Sequence, residues 1–331
     1  MKNKIIPKLL LFILLFNSFC LSAQEIELQF NDNHTFKILQ FTDTHVDFVQ
    51  KQNLGVYDNL KKILQIEKPD LIILTGDIVT QDNPQEAYKR FADIFSETNI
   101  PWAMTFGNHD SESGNISRKD LAAFLKTLPG CLNDDEGTIT GNSNFVLQVY
   151  GKDNKAEALL YMMDSNTGST LNPMVTGDGW FEFDQINWYR KKSSEYKTKN
   201  NGQALPALAF FHIPLPEYDL AWNDTNAVKI GKKREKICCP DINTGMFAAM
   251  VKCGDVMGTF VGHDHYNDYI VNYYGIALAY GRASKLRNQK EPVMGGRVIV
   301  LKEGKKEFDT WIRQIDGKKL FSCSYPNSFK K

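Results

Sequence analysis

Short apolar runs rich in β-branched and aromatic residues recur along the chain at residues 36–41, 71–75, 102–106, 145–150, 159–163, 207–211 and 256–261. Three more follow at 269–273, 297–301 and 308–312. Their brevity and residue types predict strands. Between the early runs, apolar residues return at helical spacing over 54–67, 84–98 and 118–128, and later over 184–199 and 244–252; these predict helices. Alternating strands and helices followed mostly by strands indicate a layered α/β domain with mixed sheets. No Ser/Gly/Pro-rich linker divides it, so a single domain over 24–331 is expected.

The first residues follow another pattern. Lys2, Lys4 and Lys8 lead into an apolar stretch over 9–21, closed by Ser22-Ala23-Gln24. A basic head, a short apolar middle and a small-residue exit predict a secretory signal peptide over 1–23, cleaved after Ala23. The stretch falls short of the roughly 20 apolar residues of a spanning helix. Phe19 before Cys20 is bulky where lipoprotein processing takes a small residue. The expectation is an exported chain, periplasmic or secreted, with no membrane span after cleavage.

Composition adds limits. Of 331 residues, 42% are hydrophobic and 24% charged, which excludes a disordered or coiled-coil chain. Basic and acidic side chains number 39 each. Losing Lys2, Lys4 and Lys8 leaves three more acids than bases, so bulk charge recruits neither nucleic acid nor an anionic membrane. Lys232, Lys233 and Arg234 in the 229–236 segment read as a solvated face. Beyond the signal lie Cys131, Cys238, Cys239, Cys253 and Cys323. In an oxidising compartment an odd number leaves one thiol over, and a bridge from Cys238 or Cys239 to Cys253 is expected.

Candidate chemistry lies where the predicted strands end. They run into Thr42-Asp43-Thr44-His45, Gly76-Asp77, Gly107-Asn108-His109-Asp110, His212 and Gly262-His263-Asp264-His265. Open α/β sheets place ligands at the carboxyl ends of their strands. One histidine after a strand is ordinarily structural; here five of the chain's six, all but His34, fall at such ends. Carboxylate and imidazole suit Zn, Mn or Fe. Asp can bridge two cations, and neutral His leaves the site positive enough for an anionic phosphate. Two metals can clamp the attacking and leaving oxygens of an in-line displacement. Glycines at 76, 107 and 262 allow sharp turns and close backbone approach.

In this order the motifs resemble those of the calcineurin-like metallophosphoesterase superfamily, over about residues 36–313. Residues 211–218 (Phe-His-Ile-Pro-Leu-Pro-Glu-Tyr) and 262–268 (Gly-His-Asp-His-Tyr-Asn-Asp) look like a subgroup related to purple acid phosphatases, some of whose members are labelled inactive. The resemblance implies a four-layer α/β/β/α sandwich of two mixed sheets and a dinuclear centre of divalent ions (Mn, Zn or Fe). It implies that Asp43, His45 and His265 hold one metal, that Asp77 bridges both, and that Asn108, His212 and His263 complete the second. His109 is then not a ligand but stands beside the leaving oxygen. Purple members carry Gly at the position of His45 and Tyr at that of Thr80. Without the tyrosinate this protein is expected to be colourless, and His45 adds a neutral nitrogen ligand. The otherwise complete ligand set argues against inactivity.

The expected activity is hydrolysis of phosphate esters of small molecules, chiefly monoesters, by in-line attack of a metal-bridging hydroxide. His109 protonates the leaving group, with Asp110 orienting its ring. The alternatives are a phosphodiesterase on nucleotides or lipid head groups and a non-catalytic metal-dependent binding protein; the retained His109 speaks against the latter. Asp164 and Ser165 read as turn residues, and Asp264 as pointing away from the site. Glu217, Tyr266, Asn267 and Arg282 follow the motifs and have either surface roles or substrate contacts. Trp180 and Trp222 are expected at the rim or in the core, unless they stack on an aromatic leaving group. Specificity is assigned to loops 111–117, 167–180 and 218–240.

Overall fold

Residues 26–112, 114–285 and 293–330 are described by a computed structural model; the expected signal peptide and Cys20 lie outside them. The strands are β1 (Leu28–Gln29), β2 (Thr35–Phe41), β3 (Leu71–Thr75), β4 (Trp102–Thr105), β5 (Phe145–Tyr150), β6 (Ala156–Met162), β7 (Ala207–Phe210), β8 (Lys229–Ile230), β9 (Val256–Val261), β10 (Ile270–Tyr273), β11 (Ile276–Tyr280), β12 (Gly295–Lys302), β13 (Phe308–Gln314) and β14 (Lys319–Tyr325). The helices are α1 (Val56–Glu67), α2 (Gln85–Ser96), α3 (Arg118–Leu125), α4 (Phe183–Lys199), α5 (Glu217–Asn223) and α6 (Met246–Cys253). Each strand and helix expected from the hydrophobic pattern is present, with ends shifted by a few residues. The pattern missed β11, whose Ala-rich sequence is weakly β-forming. It pairs with β10 across a tight turn in which Tyr274 and Gly275 both have positive φ. It also missed the polar strand β14 and the short helix α5.

The strands form two mixed sheets, ordered β14-β13-β12-β2-β3-β4 and β1-β5-β6-β7-β9-β11-β10-β8. Side-chain alternation explains the four layers. In β3, Leu71 and Ile73 enter the core between the sheets with Ile38, Leu160, Phe210 and Phe260, while Ile72 and Leu74 enter a second core under α1, α2 and α3. Tyr161 of β6 likewise faces a third core under α4, α5 and α6, whereas its neighbour Leu160 points inward. A strand buried on both faces has no polar alternation, which is why these runs are continuously apolar. No helix among the described residues is long and apolar enough to cross a membrane.

Strands β2, β3 and β4 are parallel, as are β6, β7, β9 and β11. The carboxyl ends of the two sets meet at one edge of the sandwich. There Thr42 pairs with Ala283, and His212 Nδ1 lies 2.8 Å from the Thr75 carbonyl.

The expected bridge to Cys253 is not formed; Cys131, Cys238, Cys239, Cys253 and Cys323 are all free thiols. The topology explains this. Cys253 ends α6 just before β9 begins, whereas the Cys238 N–H donates to Asp264, beyond the far end of β9. A six-residue strand spans about 20 Å, and disulfides need Cα atoms within about 7 Å.

Candidate metal centre

Past their last ladder bonds, the chains leaving β2 and β3 stay side by side. The N–H groups of Asp43, His45 and Val46 donate to the carbonyls of Gly76, Asp77 and Ile78 at 3.1, 3.0 and 2.9 Å. Within this frame Asp43, His45 and Asp77 adopt left-handed φ values of 52, 46 and 53°, and His263 one of 74°. Such conformations cost non-glycine residues about 1–3 kcal/mol each and persist where the surroundings enforce them. Two motif glycines are needed for close approach. A Cβ on Gly107 would stand 2.2 Å from Asp77 Oδ1, and one on Gly262 1.9 Å from Thr42 Oγ1.

The strand ends bring all seven sequence-assigned metal ligands together. Asp43, His45 and His265 form one group and Asp77, His212 and His263 a second, each able to converge on one ion. In the first group, His45 Nε2 and His265 Nε2 are 3.1 Å apart, and Asp43 Oδ1 is 3.4 Å from the latter. In the second, His212 Nε2 is 3.2 Å from Asp77 Oδ2, and His263 Nδ1 is 3.1 Å from Asn108 Oδ1. Asp77 Oδ2 also lies 3.8 Å from His45 Nε2, so this carboxylate stands between the groups.

The electrostatics follow from burial and mutual charge. Desolvation would raise the Asp43 and Asp77 carboxyls, but the imidazoles beside them hold both well below the usual range. Burial lowers His45 to about 4, keeping its ring neutral. His212 is desolvated too, yet Asp77 outweighs that effect and raises it to about 10. The buried Asp77–His212 pair thus calls for a shared positive charge, either a proton or a cation. Imidazole, carboxylate and one amide oxygen fit divalent Zn, Mn or Fe.

His109 N–H donates to Asp77 Oδ1 at 2.9 Å, and its side chain, 39% exposed, lies with its ring centre 5.8 Å from that of His45. The expectation that Asp110 orients this ring requires correction. The Asp110 carboxylate is buried and accepts the backbone N–H groups of Gly107 (2.7 Å), Asp77 (2.8 Å), Ile78 (2.8 Å) and Val79 (3.2 Å), together with the Tyr88 hydroxyl (2.9 Å). Within the turn that follows β4, both Asp110 oxygens are taken up by these backbone donors, so the carboxylate faces the loop backbone and not the His109 ring. His109 Nδ1 instead meets Glu112. Desolvation would lower the His109 pKa, but Asp77 and Glu112 raise it above its ordinary value.

Sequence reasoning missed four neighbours of the centre. Glu112 is one. Arg118, at the start of α3, donates to the Gly107 carbonyl (2.6 Å), Asp164 (2.9 Å) and Ser111 (3.2 Å), bracing the loop that carries His109. Lys285 Nζ lies 2.9 Å from His265 Nδ1. Asp178 Oδ2 lies 3.3 Å from His263 Nε2. Of these only Glu112, three residues after His109 in sequence, carried a local signal.

The secondary candidates resolve into structural contacts. Asp164 accepts from Asn142 N–H and Asn166 N–H, and Ser165 Oγ from Ile213 N–H. Asp264 points away, accepting the Tyr280 hydroxyl and Cys238 N–H. Glu217 accepts from Asn243, Asn267 from Arg234 N–H, and Tyr266 N–H donates to Glu235. Arg282 pairs with buried Asp268, as does Arg234, so the basic segment is docked on the motif loop as well as solvated. Trp222 packs on Tyr269 in the core, and Trp180 lines a cavity of about 370 Å³ with Arg118, Asn142, Asp164 and Thr167. His34 pairs with Glu303, remote in sequence from every motif.

Comparison with known proteins places the chain in a family. The family model for calcineurin-like phosphoesterases matches residues 36–267. A relative named probable inactive purple acid phosphatase 29, from Arabidopsis thaliana, is 32% identical over 92% of this chain and 90% of its own. The phosphatase DCR2 of Saccharomyces cerevisiae is 30% identical over 73% of this chain and 46% of its own length. Among solved structures, a dimetal phosphatase from Danio rerio superposes with a TM-score of 0.56 at 13% identity, covering 87% of this chain and 98% of that one. The chain belongs to the calcineurin-like metallophosphoesterase family.

Proposed function

We propose that the protein hydrolyses phosphate monoesters at a centre of two divalent cations. Asp43, His45 and His265 hold one ion, Asn108, His212 and His263 hold the other, and Asp77 serves both. When bound, such ions supply Lewis acidity toward the phosphoryl group and activate water. The observation that carries the reading is His109. Its partly exposed ring lies 5.8 Å, centre to centre, from that of His45, its backbone N–H is tied to Asp77, and its Nδ1 is engaged by Glu112. Glu112 thereby orients the ring and, together with Asp77, favours its protonated form, so that it can give a proton to a departing alkoxide. Arg118 fixes the loop beneath it and lines the polar cavity alongside.

The name of the yeast relative supports a phosphatase. That of the Arabidopsis relative favours the non-catalytic reading, against which stands the retention here of every ligand and of His109. Chelator-stripped protein reloaded with Mn²⁺ or Zn²⁺ should hydrolyse p-nitrophenyl phosphate faster than bis-p-nitrophenyl phosphate. The reverse order would make it a diesterase. No turnover of either by the metal-loaded protein would leave the binding role. Export through residues 1–23 belongs to the same proposal; an N-terminus at Gln24 in the exported fraction is the expected result.

A further inference from the structure

The imidazole of His263 is held from both sides. Nδ1 lies 3.1 Å from Asn108 Oδ1 and 3.3 Å from His212 Nε2, on the side of the second ligand group. Nε2, across the ring, lies 3.3 Å from Asp178 Oδ2. The backbone is fixed as well, left-handed at φ 74° with its N–H on the Asp43 carboxylate. Asp178 comes from no motif. It closes an arm over residues 167–179 that pairs with itself: Gly168 bridges Asp178, Ser169 N–H donates to the Gly177 carbonyl, and Gly179 N–H to the Thr167 carbonyl, both at 2.9 Å. Asn166 pins the base of the arm through the Trp180 carbonyl at 2.7 Å.

A neutral imidazole has one N–H and one lone pair. A carboxylate at Nε2 claims the N–H, which leaves the lone pair on Nδ1, facing Asn108, His212 and Asp77. Carboxylates that orient ligating histidines in this way change metal affinity by about 10–100-fold. The side chains are only 26% and 12% exposed, so this is an embedded contact and not a loose pair at the rim.

We propose that Asp178 is the positioning residue of the second metal group. It fixes the His263 tautomer and ring direction, so the 167–179 arm sets cation affinity at that group and not at the Asp43–His45–His265 group. The same arm lines the cavity of about 370 Å³ through Thr167, Gly168, Thr170 and Gly179, so the segment that tunes the ion also shapes the space beside it. The inference rests on the two-cation reading of the site.

Calorimetric titration of Zn²⁺ or Mn²⁺ into the chelator-stripped full chain tests it. Parent protein should show two sites. Asp178→Ala should weaken one of them about 10–100-fold, leave the other unchanged, and leave the melting temperature of the stripped protein unchanged. Asp178→Asn retains a carbonyl oxygen for Nε2–H and should recover most of the loss. In ¹⁵N spectra of the side-chain imidazoles, His263 should be the Nε2–H tautomer in parent and mixed in Asp178→Ala. Two parent-like sites in Asp178→Ala would overturn the proposal alone. Equal weakening of both sites with a lowered melting temperature would also overturn it, marking Asp178 as a folding contact. A parent chain that binds no cation would instead bring down the two-cation reading and this proposal with it.

Discussion

Asp110 Oδ2 accepts the backbone N–H of Asp77 at 2.8 Å, tying the loop after β4 to a residue 33 positions earlier. Because Asp110 also takes the N–H groups of Gly107, Ile78 and Val79, one carboxylate sets the relative position of two motif loops. Asp110→Asn turns an NH₂ group toward these donors. Hydrogen bonds to a charged group contribute about 1.5–3 kcal/mol each, so losing one or two should cost about 3 kcal/mol. Thermal denaturation of the metal-stripped variant should show it. A variant with unchanged melting temperature and reduced turnover would return Asp110 to the role of orienting His109.

His109 and Asp77 should separate chemistry from metal binding. On the proposed mechanism His109→Ala removes the proton donor but no ligand, so turnover of p-nitrophenyl phosphate should fall about 10²–10⁴-fold with both cations retained by elemental analysis. Asp77→Asn, at the junction of the two groups, should lose metal and turnover together. Equal metal loss in the two variants would contradict this division.

Gly262→Ala tests the close approach of the sheets. Its Cβ would fall 1.9 Å from Thr42 Oγ1 and 2.7 Å from Asp43 Oδ2, too near for any rotamer adjustment to relieve both. Cation affinity at the first group should drop at least tenfold by calorimetry, since a loss of about 1.4 kcal/mol in binding energy already gives that factor. Parent-like affinity would mean that the loop yields freely.

The cysteines give a chemical check of the fold. Without reductant, iodoacetamide in denaturant should alkylate Cys131, Cys238, Cys239, Cys253 and Cys323, because none is bridged. In the native state at pH 8, Cys131 should resist, as burial pushes its thiol up to about 12 and so suppresses the reactive thiolate. A peptide cross-linked to Cys253 would show that oxidation rearranges the end of α6.

What was legible in the sequence, and what was not, divides along physical lines. The doubly buried strands announce themselves because burial on both faces forces continuous apolar runs, as in β3 and β9. The candidate ligands announce themselves because cation chemistry restricts residue types and the fold restricts them to strand ends. β11 was hidden by its alanines, which are buried in the core between the two sheets although their intrinsic strand preference is weak. Adjacency misled at Asp110, which shares a turn with His109 but faces the other way. Glu112, Arg118, Asp178 and Lys285 reach the centre through folded loops, and no spacing rule brings residue 178 to residue 263.

Each ligand group draws on both sheets: Asp43 and His45 meet His265 across the seam, and Asp77 meets His212 and His263. A cation bound in either group, as proposed, would therefore be a rivet through the sandwich as well as a reagent. With ions bound, parting of the halves at this edge would require breaking their coordination. The margin to which the chemistry is assigned would then also be the clasp of the molecule.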